Sequence, residues 1–316
     1  MEQLHGLLIV DKPRGMSSAQ CTNRLKRLGQ RKIGHAGTLD PMAQGVLLVL
    51  LGQATKISGY LMAEGEKHYA AVVEFGRITD TWDDDGVTLS ALDADSLRRQ
   101  VLERPDFEAA LRAEVAAWSG EMRQVVPAYS AAKHEGRPLY SLARAGRETP
   151  EKVKTIHILQ AEVLWVDLPR AAFRVVCSSG TYIRSLAHSL GTRLGCGAVL
   201  TELIREYSHP FGLEKAVSLD SVTANPELLR ESVLPITAAL PGWPVLQVTP
   251  EHEAAVRHGM PLADAKTARR DGDSASVWQP GAKAIFVAEG GEPLALVEAS
   301  GSAACPAWSV LRGLWA

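Results

Sequence analysis

One aspartate set among glycines is the first place in this chain where residue types and spacing could do chemistry. Gly34-His35-Ala36-Gly37-Thr38-Leu39-Asp40-Pro41 closes at Gly45 and empties into the apolar run Val46 to Leu51. The glycines permit tight, left-handed backbone, and Pro41 stiffens the chain directly after the carboxylate. A turn of this kind can hold Asp40 rigidly at the edge of a core, as a nucleophile or as a stabiliser of developing positive charge. The same residues also make an ordinary turn in which Asp40 bonds its own backbone. Spacing alone leaves both readings open.

The elements that must position this turn follow from periodicity. Gly6 to Val10 reads as a buried strand stopped by Asp11-Lys12-Pro13-Arg14-Gly15, after which Ser17 or Ser18 caps a helix running to Leu28, with Gly29 as its stop. Val46 to Leu51 is a second strand, followed by a helix near Ala54 to Leu61. Alternation from Lys67 to Gly76 predicts a half-buried strand carrying Tyr69. Helical spacing marks Asp95 to Leu102 and Phe107 to Trp118, and a short helix follows Gly136-Arg137-Pro138 and ends at Gly146. Ile156 to Val166 and Ala171 to Cys177 read as paired antiparallel strands. Cys177 to Leu186 is a strand end, a glycine turn and a helix start, with Arg184 on the first helical turn. Gly197 to Glu206 is a further apolar strand, carrying Leu203. Pro241-Gly242-Trp243-Pro244 marks a boundary, beyond which strands near 245–248, 284–288 and 294–298 and a helix near 251–258 make a small mixed domain.

Several functions are disfavoured by what these residues lack. Thr79-Asp80-Thr81-Trp82-Asp83-Asp84-Asp85-Gly86 looks like a calcium loop, but with Gly86 at the sixth place Thr81 and Leu92 would fall at the first and twelfth. It reads as an acidic turn offering no rigid partner to Asp40, which weighs against a glycoside hydrolase working with paired carboxylates. The four cysteines lie far apart, so neither a zinc site nor a disulfide framework is expected, and a reducing cytoplasm is. No Gly-x-Gly-x-x-Gly fingerprint points to a dinucleotide. Neither a signal peptide nor a membrane helix of ~20 apolar residues is legible. Net charge is −2, yet the basic residues are grouped: Lys12, Arg14, Arg24, Lys26, Arg27, Arg31 and Lys32 in one run, and Arg123, Lys133, Arg137, Arg144, Arg147, Lys152 and Lys154 in another. Such asymmetry steers a polyanion, although either run by itself is also an ordinary solvated face.

Five segments, in order, resemble the family of bacterial tRNA pseudouridine synthases that act on the T-loop uridine. They are Leu8 to Ser18, Gly34 to Pro41, Lys67 to Gly76, Gln124 to Lys133 and Cys177 to Leu186. In the fourth, Val126-Pro127 stands where the family often has two prolines. The resemblance implies an α+β fold: a mixed, largely antiparallel sheet with flanking helices, an RNA-binding thumb inserted at about 121–154, and a PUA-like β-rich domain. The catalytic domain is expected over 1–242 and the PUA-like one over 243–316. By the same resemblance Asp40 is the nucleophile that turns the uridine at position 55 into pseudouridine. Arg184 pairs with it, Tyr69 stacks on the base, and Tyr182 and Leu203 form the walls. His35 fills the stack that the flipped base leaves, while Lys12 and Pro13 support the turn. No cofactor and no metal are implied. The expected partner is the T-arm of tRNA and its acceptor end, with no membrane and no protein partner, the chain acting as a monomer. The alternative is a noncatalytic tRNA-binding or tRNA-folding protein on the same scaffold.

Overall fold

Strands that are apolar without a break need cover on both faces, and the architecture supplies it. A computed structural model describes residues 3–63, 65–263, 268–269, 279–302 and 305–315. The first part of the chain carries β1 (Gly6–Lys12), α1 (Ser18–Lys26), β2 (Ile33–Ala36), β3 (Gln44–Leu51), α2 (Ser58–Ala63) and β4 (Lys67–Phe75). The hairpin β5 (Arg77–Thr79) and β6 (Thr88–Ala91) follows, then α3 (Ala94–Leu97), α4 (Phe107–Ala116) and β7 (Gly120–Val125). An excursion holds β8 (Lys133–His134), β9 (Arg137–Pro138) and α5 (Leu139–Arg144). After it come β10 (Val153–Asp167), β11 (Arg170–Cys177), α6 (Ile183–Leu194) and β12 (Ala198–Ser208). The short β13 (Phe211–Gly212) and β14 (Val217–Ser218) lead into α7 (Leu219–Ala224) and α8 (Pro226–Glu231).

These strands form one sheet in the order β14-β1-β3-β12-β4-β11-β10-β7, with β2 added to β3 and β13 to β12. The pairs β1–β14 and β12–β3 are parallel and the rest antiparallel, the mixed, largely antiparallel sheet expected. Alternate residues of β1 and β3 enter different cores. Leu8, Val10, Leu47 and Val49 pack with Cys21, Leu25, Leu219 and Leu229 from the helices on one face. Leu7, Ile9, Val46 and Leu48 pack on the other face with Trp243, Ile285, Val287, Leu296 and Leu314 from the end of the chain. A third core joins β4, β11 and β12 to α4 and α6 and runs up to Leu39, Tyr69 and Leu203. Core and candidate site therefore share residues.

The second sheet takes β15 (Val245–Val248), β16 (Leu262–Ala263), β17 (Ala268–Arg269), β18 (Lys283–Val287), β19 (Pro293–Ser302) and β20 (Cys305–Gly313), with α9 (Pro250–Arg257) between its first two strands. Of the segment 243–316, residues 264–267, 270–278, 303–304 and 316 lie outside the described residues. The hairpin β19–β20 is longer than the alternation predicts, and β20, which carries Pro306, has no strict period to announce it. Where a helix is expected from Ala54, the chain makes a 3-10 turn over Gly52–Ile57 before α2. Among the described residues no helix is long and apolar enough to cross a membrane.

Candidate active site

The Asp40 turn is held from three sides. Gly37 and Gly45 have φ of 77° and 101°, so both glycines are required by the backbone itself. A Cβ on Gly45 would also stand 2.3 Å from the Arg205 carbonyl oxygen, where β12 runs alongside. Ser17 caps α1 in a capping box with Gln20. That frees Ser18, whose hydroxyl accepts from the Leu39 amide at 2.9 Å and donates to the Leu39 carbonyl at 3.1 Å. On the third side Lys12 is buried, and its ammonium donates to the carbonyls of Pro13, Met16 and Pro41 at 2.9, 2.5 and 3.3 Å. Lys12 thus joins the turn to the end of β1 rather than facing solvent with the basic run. Burial pushes its pKa down to about 8.

Arg184 stands on the first turn of α6, whose inward face is apolar and whose end is closed by left-handed Gly195. Its side chain is 3% exposed. Nε and Nη2 donate to the two oxygens of Asp40 at 2.8 and 3.0 Å, a bidentate fork. Nη1 donates to Thr81 O at 3.0 Å and Nη2 to Tyr129 O at 2.9 Å. Arg184 therefore gathers the Asp40 turn, the acidic turn and the segment after β7 around one guanidinium. Lysine has no fork and could not replace it.

Asp40 lies between two lobes of a cleft. One, of about 310 Å³, is lined by Lys67, Tyr69, Tyr182, Leu203 and Arg205 among others. That volume is within the range of small-molecule sites, ~300–1,000 Å³. Tyr69 is buried at its floor, and burial raises the pKa of its phenol although the Arg205 guanidinium beside it acts the other way. Burial also raises the pKa of Tyr182. Gln124 fixes the Tyr182 backbone by accepting from its amide at 2.7 Å and donating to its carbonyl at 2.9 Å. The second lobe, about 370 Å³, lies between Asp40, Asp80, Asp83, Tyr129, Tyr140 and Arg144.

Two sequence expectations need correction. The acidic turn does offer a rigid carboxylate. Asp83 is buried, accepts from Thr81 Oγ1 at 2.5 Å and lies 3.5 Å from Arg184 Nε. Burial raises its pKa in spite of that guanidinium. Four aspartates in six residues carry no mark of which one turns inward; the pairing of Asp83 with Leu200 and the stack of Trp82 on His188 decide it. His35 is not in the loop beside Asp40 but on β2, opposite Val49. It is half-buried, the lining of neither lobe includes it, and burial lowers its pKa. Pro13 contributes a carbonyl to Lys12 and lines neither lobe. Two lining residues missed in the sequence, Lys67 and Arg205, had a signal: each sits two places along a strand from an expected site residue, Tyr69 or Leu203, and so on the same face.

Comparison with known proteins gives this arrangement a family. The model described as TruB family pseudouridylate synthase, N-terminal domain, matches residues 25–183, and that of the tRNA pseudouridylate synthase B C-terminal domain matches 184–241. The chain belongs to the TruB family of pseudouridylate synthases. It is 57% identical over 313 residues to tRNA pseudouridine synthase B of Nitratidesulfovibrio vulgaris Hildenborough, covering 99% of both chains. It is 56% identical to the protein of that name from Oleidesulfovibrio alaskensis, covering 100% of this chain and 98% of the relative. A chain of a solved Cbf5-Nop10-Gar1 complex superimposes with a TM-score of 0.67 at 25% identity, over 98% of this chain and 85% of that one.

A TruB-family enzyme isomerises its substrate, breaking the bond between a sugar carbon and a uracil nitrogen and rejoining the same carbon to a ring carbon. Such an exchange calls for reacting groups held in a fixed orientation, a wall that keeps water from the open sugar carbon, and room for the ring to turn. Among the described residues no group of three His, Cys, Asp or Glu side chains is placed to hold a metal.

Proposed function

We propose that this pseudouridine synthase acts on the uridine at position 55 in the T-loop of tRNA, with Asp40 as its nucleophile. The observation that carries the reading is the fork of Arg184 on Asp40 at the mouth of a lobe floored by Tyr69. Curated relatives that match this chain end to end and bear the name tRNA pseudouridine synthase B support the RNA class. A loop uridine is stacked, so it has to leave the stack, at a cost of a few kcal/mol, before its sugar can reach Asp40. In the smaller lobe Tyr69 stacks on the uracil while Tyr182 and Leu203 close the sides. Lys12 and Pro13 support the turn from behind. His35, on β2 outside the lobes, is assigned to the space that the base vacates in the RNA.

Residues 1–242 constitute the catalytic domain, and 121–154 its thumb over the RNA, where Arg137, Arg144 and Arg147 are exposed for phosphates. Residues 243–316 are a PUA-like domain for the acceptor end. The protein acts in the cytoplasm, as a monomer that needs no protein partner. The test is to incubate the protein with an unmodified tRNA transcript and map pseudouridine along it. A single new pseudouridine at position 55 is expected. A product elsewhere in the transcript would overturn the assignment of the T-loop.

A further inference from the structure

Two lysines are buried beside the Asp40 turn, and they differ in what their ammonium groups touch. Lys12 has three N–H donors and three carbonyl acceptors, is wholly inaccessible, and lines neither lobe. Lys67 is 6% exposed on β4, on the same face as Tyr69, and lines the smaller lobe. It donates to Ser179 Oγ at 3.0 Å, and among the described residues its other two donors have no acceptor. The charged side chains that face it are Arg205 from β12 and Lys154 from β10, both cations, and the Cys177 thiol from β11 is held neutral by burial. Arg205 is committed already, donating to Val46 O at 2.7 Å and Gly37 O at 2.8 Å. A buried ammonium among cations, with donors to spare, is costly unless a ligand brings the counter-charge. Burial and the nearby Arg205 push its pKa down to about 8.

We propose that Lys67 is a catalytic residue: its ammonium donates to a carbonyl oxygen of the flipped uracil and stabilises the negative charge the ring carries once it has left the sugar. The proposal rests on the reading that the smaller lobe receives the uracil. When the C1′–N1 bond breaks, its electron pair stays on the ring and spreads over N1, O2 and O4, while the Asp40 carboxylate bonds to C1′. After the ring has turned, an electron pair at C5 forms the C5–C1′ bond and the Asp40–C1′ bond breaks, returning the carboxylate. C5 then loses its proton and N1 gains one, so the net change is an isomerisation with nothing oxidised or reduced. Lys67 keeps its proton throughout. A preorganised donor aimed at charge that appears only during reaction is worth about 10²–10³ in rate. The same ammonium could meet an RNA phosphate, but its place on the floor beside Tyr69 favours the base.

The experiment measures single-turnover rates on a T-arm stem-loop RNA, together with RNA affinity and thermal melting, for the wild type, Lys67→Met and Lys67→Arg. For Lys67→Met the expected result is a rate loss of about 10²-fold or more, with affinity within about threefold and no lower melting temperature, since a buried charge has been removed. In the wild type the rate falls above about pH 8 as Lys67 loses its proton, and Lys67→Arg holds its rate through that range. A Lys67→Met rate close to wild type overturns the proposal. So does a loss confined to affinity, which is the mark of a phosphate contact, or a failure of that variant to fold. If the wild type itself forms no pseudouridine in this RNA, it is the assignment of the T-loop under the proposed function that has failed, not the role of Lys67.

Discussion

The Asp40 turn and the segment 126–152 face each other across one cleft and are built in opposite ways. The turn is tied by Ser18, Lys12, Arg205 and Arg184, all buried, and its two glycines adopt backbone that other residues resist. The facing segment has its arginines in solvent and spans its ends with the single backbone bond from Val126 N to Lys152 O, at 2.8 Å. Several of its residues line the two lobes, and its hydrogen bonds to the site run through Tyr129, whose carbonyl accepts from Arg184 and whose hydroxyl donates to Asp80 at 3.1 Å. The contrast separates two tasks. Bond breaking needs a carboxylate placed to a fraction of an ångström, whereas holding a polyanion needs charge in roughly the right region.

If that division holds, substitutions on the turn side change kcat and those on the far side change KM. The largest effect is expected for Asp40→Asn, a loss of more than about 10⁴-fold in kcat, read as tritium release from C5-labelled uridine in RNA, with binding kept. The fold should survive, because Asp83 still faces Arg184. Turnover within tenfold of wild type would remove Asp40 from the chemistry. Arg184→Lys keeps the charge but loses the fork, and kcat should fall by about 10²-fold; steady-state kinetics near wild type would mean that the fork does not orient the carboxylate. Ser18→Ala removes both hydrogen bonds to Leu39. It should cost about 1–2 kcal/mol of stability in denaturant melts and a smaller part of kcat. A stability loss with unchanged kcat would show that the turn tolerates slack. The smallest effect belongs to Arg144→Gln: KM should rise about threefold at constant kcat, and the slope of log affinity against log salt should shrink by about 0.7–0.9. A fall in kcat instead would erase the distinction between the two sides.

Much of the fold was legible because each strand that matters carries its burial in its pattern. The alternation from Lys67 to Phe75 became β4 with every second residue buried, and the unbroken run Val46 to Leu51 became a strand covered on both faces. The hairpin β19–β20 was less legible, since its outer strand has a proline and no period. At the candidate site the turn around Asp40 announced itself through glycines and a proline, which have few other uses in that arrangement. Asp83 did not, because an aspartate that turns into a cleft is spelled like its solvated neighbours. The pairing of Arg184 with Asp40, 144 residues apart in the chain, was legible only through the family resemblance and not through spacing.

By itself, then, the sequence determined the local pieces: which segments extend, which coil, where the backbone must turn sharply and where charge is grouped. Those follow from steric limits and from the apolar pattern, and both act over a few residues. Only the tertiary structure decided which of two buried lysines is saturated and which keeps open donors in a cavity wall. It also decided which aspartate of the acidic run stands beside Arg184. Burial, partner and counter-charge are properties of what the folded chain brings close, and no neighbour in sequence carries that information.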